Sequence, residues 1–289
     1  MNTCWICEDI SLELVKKTDL DLDPISDQFK VSDSDYGKTG NLYRCSTCLF
    51  IQCFDFPDVS ILYQNMSDDE YVLGAAARLK EMKKIVEFLL RECPDIKSLL
   101  DIGAGTGLLV RSALELGIHA KGMEPSNHFV GIAKGDNLNV IQGVYPHTTI
   151  DEKFDAITLV DVIEHVNTPL KFIEALQSNL NKDAVVLIST PDSGSVLARI
   201  LKWKWWHYRI AHIAYFNKTQ LDDAMARKGF ELIAASRPSW YFDLDYLVAR
   251  LIKFFLRVNV KVKFLERIHI KVNLHDSMLR IYRKSNKFG

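Results

Sequence analysis

The 289-residue sequence predicts an α/β fold, a doubly wound sheet covered on both faces, with a small cysteine-bearing knob ahead of it. Three observations predict it. From residue 96 onward, short apolar runs alternate with helical stretches, the pattern of parallel strands joined by crossover helices. The stretch LLDIGAGTGLLV, residues 99–110, joins one apolar run to a helix through alternate glycines, Gly103, Gly105 and Gly107. Nearer the start stand Cys4-Trp5-Ile6-Cys7 and Cys45-Ser46-Thr47-Cys48, two cysteine pairs separated by a long loop.

The elements follow in order. Residues 1–60 form the knob, whose short turns and scattered aromatics leave it little core of its own. A linking segment, 61–95, carries a helix over 68–91, with Ala76, Leu79, Met82, Ile85, Val86 and Leu89 at three- and four-residue spacing. It ends before Cys93-Pro94, because proline disfavours helical backbone in the residue ahead of it. Residues 96–289 form the main domain, with strands at 98–102, 119–124, 139–142, 156–160 and 184–190. Helices run up to Gly117, from Pro125, and over 169–180. After Pro191 comes an aromatic-rich lid insertion, 192–218, then a helix over 219–228 ended by Gly229 and a strand over 230–236. A second insertion, 243–272, mixes Leu, Val, Ile and Phe with Arg and Lys, as a pair of basic amphipathic helices would. Residues 278–283 make the last strand.

The chain is 48% hydrophobic with a formal net charge of -1, enough for one full core plus an accessory unit. The opening MNTCWICEDI has neither a basic leader nor an apolar run, and no stretch reaches membrane-spanning length, so a cytoplasmic protein is expected. Charge is distributed unevenly. Residues 1–35 carry nine acids against three lysines, whereas residues 250–289 carry eleven Lys and Arg against Glu266 and Asp276. The acidic start argues against a nucleic-acid partner. The basic end, where Leu247, Leu251, Phe254 and Phe255 interleave with Arg250, Lys253 and Arg257, points to peripheral contact at a membrane surface.

The glycine stretch is a ligand cradle, since such backbone lets a ligand approach the main chain directly. A dinucleotide fingerprint needs glycine at position 108, which is Leu. Asp101, two residues before the first glycine, would repel a pyrophosphate but suits a ligand carrying an ammonium and a sulfonium. That ligand is S-adenosylmethionine. Glu124 ends the second strand 21 residues after Gly103, where a carboxylate can accept both ribose hydroxyls. Asp161, Glu164 and His165 lie where the fourth strand opens, and His165 is the first candidate for a base. In the insertion, Trp203, Trp205, Trp206, His207, Tyr208, His212, Tyr215 and Phe216 could roof a substrate pocket. His207 and His212 are further base candidates there, and Trp206 and Tyr215 candidate substrate contacts. The fourth strand ends Asp161-Val162-Ile163-Glu164 rather than in a D/N-P-P-Y quartet, which favours an oxygen or carbon acceptor over a nucleobase amine. Cys4, Cys7, Cys45 and Cys48 have the chemistry of a closed, structural zinc site.

The glycine stretch, together with FDAITLVDVIEHVNTPLKFIEAL (154–176) and VVLISTPDSGS (185–195), resembles the class I S-adenosylmethionine-dependent methyltransferases. The resemblance covers about residues 70–289 and is nearest to the small-molecule group that includes ubiquinone and sugar methyltransferases. It implies a seven-stranded Rossmann-like sheet whose last strand, NLHDSMLRIYRK (273–284), runs antiparallel. It implies cofactor contacts from Asp101, Gly103, Ala104, Gly105, Gly107, Glu124, Pro125 and Asp161, with Asp101 at the methionine portion. Relatives often carry an acid after the third strand; Gln142-Gly143-Val144-Tyr145 lacks one, which leaves adenine to backbone groups. The knob is similar to N-terminal zinc knobs of sugar and polysaccharide-cluster methyltransferases. The expectation is therefore methyl transfer to a sugar, sugar nucleotide or glycan end. Alternatives are an RNA acceptor, a quinone or lipid-type acceptor, and a non-enzymatic scaffold.

Overall fold

The computed structural model describes residues 2–19, 37–56, 60–64, 66–244, 248 and 269–285. The knob begins with three antiparallel strands, β1 (Leu12–Lys16), β2 (Leu42–Cys45) and β3 (Ile51–Cys53). Helices α1 (Ser60–Gln64), α2 (Asp69–Leu73) and α3 (Ala75–Glu92) lead to the main domain. The sequence pattern gives one helix over 68–91, but Gly74 breaks it, and the face turns with the break. Ala76 is exposed, while Ala77, Glu81, Ile85, Val86, Phe88 and Leu89 are buried.

The main domain alternates β4 (Ser98–Ile102), α4 (Leu108–Glu115), β5 (His119–Glu124), α5 (Asn127–Gly135), β6 (Val140–Gln142), β7 (Phe154–Val160), α6 (Pro169–Leu176) and β8 (Leu180–Pro191). Ser126 caps α5 through Phe129 N–H, and Pro169 opens α6 with the backbone angle a first turn requires. The helix expected over 169–180 stops at Leu176. Asn179 turns the chain there, its amide donating to the carbonyls of Ile150 and Glu152 at 3.0 and 2.8 Å. Then come α7 (Val196–Leu201), β9 (Ala214–Tyr215), α8 (Lys218–Arg227), β10 (Phe230–Ser236), β11 (Trp240–Asp243), β12 (His269–Val272) and β13 (Ser277–Lys284).

The central sheet has the order β10-β13-β8-β7-β4-β5-β6, with β13 antiparallel to both neighbours and the other pairs parallel. β4 and β7 are buried on both faces, as strands between two helical layers must be. Their carboxyl ends, with that of β5, open onto one crevice, the place where open α/β sheets bind ligands.

Two insertions follow the pattern of the main domain less simply. At the ends of the 243–272 stretch, Asp243 and His269–Val272 lie in strands, β11 pairing antiparallel with β12, while Leu244 and Val248 are helical. Residues 249–268, and with them most of the basic apolar segment, lie outside the described residues. The 192–218 insertion is a packed wedge instead of a free lid. Its β9 pairs with β3 as the fourth strand of the knob sheet, order β1-β2-β3-β9. Trp205, Tyr208, Ile210, Ile213 and Tyr215 are buried in one cluster with Leu42, Cys53, Phe56 and Phe129. Among the described residues, no helix is long and apolar enough to cross a membrane.

Candidate active site

One wall of the crevice starts from backbone. Gly103, Gly105 and Gly107 have φ of +75°, +53° and +81°, a region costly for any residue with a Cβ. A Cβ on Gly103 would stand 2.5 Å from Val162 Cγ2, and one on Gly105 would stand 2.8 Å from the Tyr71 hydroxyl. The amides of Gly103 and Ala104 donate to the Met123 carbonyl at 2.8 and 3.0 Å, folding the loop onto β5. Glu124 fixes the rest of the turn: Oε2 accepts from Gly105 N–H at 2.8 Å and Oε1 from Ser126 N–H at 2.9 Å. Each oxygen keeps a further lone pair for a hydroxyl. Burial raises the Glu124 pKa against those two donations.

Asp101 is buried at the end of β4 and accepts from the Thr158 hydroxyl at 2.7 Å. Burial pushes it up to about 7, with Thr158 opposing and the Glu124 charge adding. Asp161 follows β7 at φ +53° and opens to the crevice, yet enough protein surrounds it to push its carboxyl up to about 7 against the Arg209 charge. Ala104 is buried in the turn and Pro125 half-buried beside it.

Helices α2 and α3 roof this wall with groups the sequence pattern does not reveal. The Arg78 guanidinium lies 3.6 Å above the Tyr71 ring and donates to the Tyr71 carbonyl at 2.5 Å. Glu81 is buried, and its Oε1 has no partner among the described residues. Burial lifts its pKa well above the usual carboxylate range, and the Asp161 charge adds to it. A usable signal existed for Glu81, which sits four residues from both Ala77 and Ile85 on the buried stripe.

The opposite wall is made of rings. His165 lies in a short 3-10 turn, Ile163–His165, with Nδ1 2.6 Å from the Ala211 carbonyl. A carbonyl only accepts, so Nδ1 carries the hydrogen and Nε2 the lone pair. Burial pushes the ring pKa down toward about 4, and the Arg209 charge lowers it further. The Tyr63 hydroxyl lies 3.0 Å from Nδ1 and 3.5 Å from Nε2. His212 packs edge-on against His165, ring centres 4.9 Å apart, and stacks on His207 at 5.9 Å. Burial also lowers its pKa well below the ordinary value, with His165 adding. His207 lies at the rim, 3.4 Å from Asp276. Glu164 is buried, its Oε2 accepting from Thr190 at 2.9 Å, and its carbonyl accepts from Ile213 N–H, which ties the insertion to this turn.

The structure thus brings His165, His212 and His207 together on one wall. Tyr215 is spent elsewhere: it is buried in β9, and its hydroxyl donates to the His212 carbonyl at 2.8 Å. Trp206 is half-buried, tilted against His207.

Among the described residues, two groups of side chains could hold a metal. Cys4 and Cys48 sulfurs are 3.4 Å apart, as are those of Cys7 and Cys45, and all four lie within 4.8 Å of one another. A tetrahedron of Zn–S bonds of about 2.3 Å has sulfurs about 3.8 Å apart, so this donor set fits a closed zinc site. Glu164, His165 and His212 offer a second set within the same limit, and both Glu164 Oε1 and His212 Nδ1 are buried without a partner among the described residues.

Residues 75–235, more than half of the chain, match the family model described as methyltransferase domain. The chain belongs to the methyltransferase domain family. Solved folds agree: an S-adenosylmethionine-dependent methyltransferase from Archaeoglobus fulgidus superposes with a TM-score of 0.51 at 16% identity, over 75% of this chain and 100% of that one. A methyltransferase complexed with the Trm112 activator of Haloferax volcanii gives a TM-score of 0.52 at 15% identity, over 76% and 100%. The fold is thus that of S-adenosylmethionine-dependent methyltransferases. Among curated relatives, the ubiquinone biosynthesis O-methyltransferase of Schizosaccharomyces pombe is 30% identical over 135 residues, 44% of this chain and 48% of that protein. That of Haemophilus ducreyi is 30% identical over 106 residues, 32% and 45%. The chain spans about half the length of the curated relatives it matches.

Proposed function

We propose that this methyltransferase moves a methyl group from S-adenosylmethionine to a hydroxyl oxygen of a quinone-like or other lipid-type acceptor. The observation that carries the reading is His165, a neutral ring with its tautomer set by Ala211, in the turn directly after Val162, whose side chain lies against Gly103 of the glycine cradle. The relatives named for ubiquinone O-methylation support this acceptor class over the sugar or glycan end that the sequence first favours.

The residues present fit the cofactor. Glu124 is poised to take the ribose hydroxyls, while Asp101, Asp161 and Glu81 present carboxyl groups to a ligand with two positive centres. Arg78 supplies the counterpart for its carboxylate. When bound, S-adenosylmethionine supplies a sulfonium methyl open to in-line displacement. His165 Nε2 takes the proton of the acceptor hydroxyl, and Tyr63 holds the ring's orientation. Alignment supplies most of the acceleration, roughly 7–11 kcal/mol for well-oriented reactants, against about a hundred- to ten-thousandfold for a base. A zinc ion held by Cys4, Cys7, Cys45 and Cys48 has a structural role in the same reading, since four thiolates leave no open position.

The test is a panel of hydroxylated aromatic quinone precursors and sugar nucleotides, with S-adenosylhomocysteine release and product mass as readouts. Methylation of a hydroxylated aromatic is expected. Turnover of sugar nucleotides alone would overturn the acceptor class.

A further inference from the structure

We propose that residues 196–206, α7 and the turn after it, dock this enzyme onto an anionic lipid bilayer at the mouth of its crevice. The three most exposed large apolar side chains among the described residues are Leu73, Val196 and Ile200, at 81, 71 and 68% exposure. Val196 and Ile200 stand one turn apart on the same face of α7. Leu73 ends α2 and the other two stand on α7, and both elements feed one cluster, in which Val72 and Tyr71 join Ala198, Leu201, Trp203 and Trp206. Water disfavours such area, and a fold leaves it bare where something else covers it.

The charge on α7 and the turn after it points to the cover. The stretch VLARILKWKWW carries Arg199, Lys202 and Lys204 and no acid. All three cations are exposed, and none forms an ion pair among the described residues. Aliphatic side chains interleaved with cations, beside half-buried tryptophans, match the boundary between lipid headgroups and acyl chains. A second copy across a two-fold axis would bring cation against cation. The surface is also well placed for traffic, because α7 leaves the carboxyl end of β8 and its chain runs on to His207 and His212, while Tyr63 and Tyr71 line the same cluster. An acceptor drawn from the bilayer would meet His165 directly, a clause that rests on the proposed acceptor class; the docking itself does not.

Flotation of the full chain tests it without cofactor or acceptor, using phosphatidylcholine vesicles with roughly one third phosphatidylglycerol against phosphatidylcholine alone. The protein is expected to float with the anionic vesicles and to be released by salt. Removing a basic residue should weaken partition about fivefold, so Lys202→Glu with Lys204→Glu should abolish flotation. Val196→Ser with Ile200→Ser should do the same, while both pairs keep the wild-type thermal midpoint. Wild-type protein left in the soluble fraction, or variants floating like wild type, would overturn the proposal. So would dimers in sedimentation that the Val196→Ser, Ile200→Ser pair dissociates, since the face would then belong to a second copy.

Discussion

The crevice has two walls made in different ways. On the wall proposed to hold the cofactor, Gly105 and Glu124 are 19 residues apart and are joined through a backbone amide. On the wall proposed to face the acceptor, Tyr63 and His165 are 102 residues apart, and His165 reaches Ala211 across 46 more. A wall of local backbone is fixed by short-range sequence; a wall of side chains depends on how distant segments pack. The first should therefore fail only when its own residues change, and the second also when remote supports do.

The largest effect is expected from Gly105→Arg, which adds a side chain at φ +53° against the Tyr71 hydroxyl; calorimetry should find S-adenosylmethionine binding abolished. Undiminished affinity would sink the cradle. Next comes His165→Gln, which should lower kcat about a hundred- to ten-thousandfold while leaving cofactor affinity unchanged. If kcat is unaffected, the ring only shapes the turn.

The remote support is the knob. Because β9 pairs with β3 and Ile213 N–H holds the Glu164 carbonyl, Cys45→Ser or zinc chelation should loosen the acceptor wall alone. Methyl transfer should drop and the thermal midpoint fall, by about 2–4 °C per kcal/mol lost in a domain of this size, with cofactor affinity little changed. Metal analysis should find zinc in the wild-type protein, and an equal loss of cofactor binding would erase the distinction between the walls.

Acid titration should separate them more gently. Asp101 and Asp161 take up protons as pH falls through about 7, so affinity for the doubly cationic cofactor should weaken below that, by at most about tenfold per unit for each group. The His165 shift has the opposite direction: its pKa is lowered from 6.5 toward about 4, so the lone pair on Nε2 persists through neutral pH and is lost only in stronger acid. Single-turnover rates at saturating cofactor should stay level where affinity is already falling.

The same contrast explains what was legible in the sequence. Strands Ser98–Ile102, His119–Glu124 and Phe230–Ser236 are readable to the residue, since each apolar run is bounded by glycine, proline or a polar turn. Glu124 and the glycines are readable for the same reason. Arg78 and Tyr63 are not, because only the docking of α1 to α3 brings them to the site, and Glu81 shows in the sequence only its place on a buried stripe. His165 and His212 could be named singly, but nothing in their spacing says that they touch. The aromatic insertion misleads as a lid because composition cannot distinguish covering a ligand from covering a neighbouring sheet.

Gln52 hydrogen-bonds as a strand partner to Ala214. The knob sheet therefore cannot close its edge until a strand made much later arrives, a wait of about ten to thirty seconds at ordinary translation rates. During synthesis that edge is open to pairing with other nascent chains, and expression of the family-matched segment by itself would separate the two halves of a sheet.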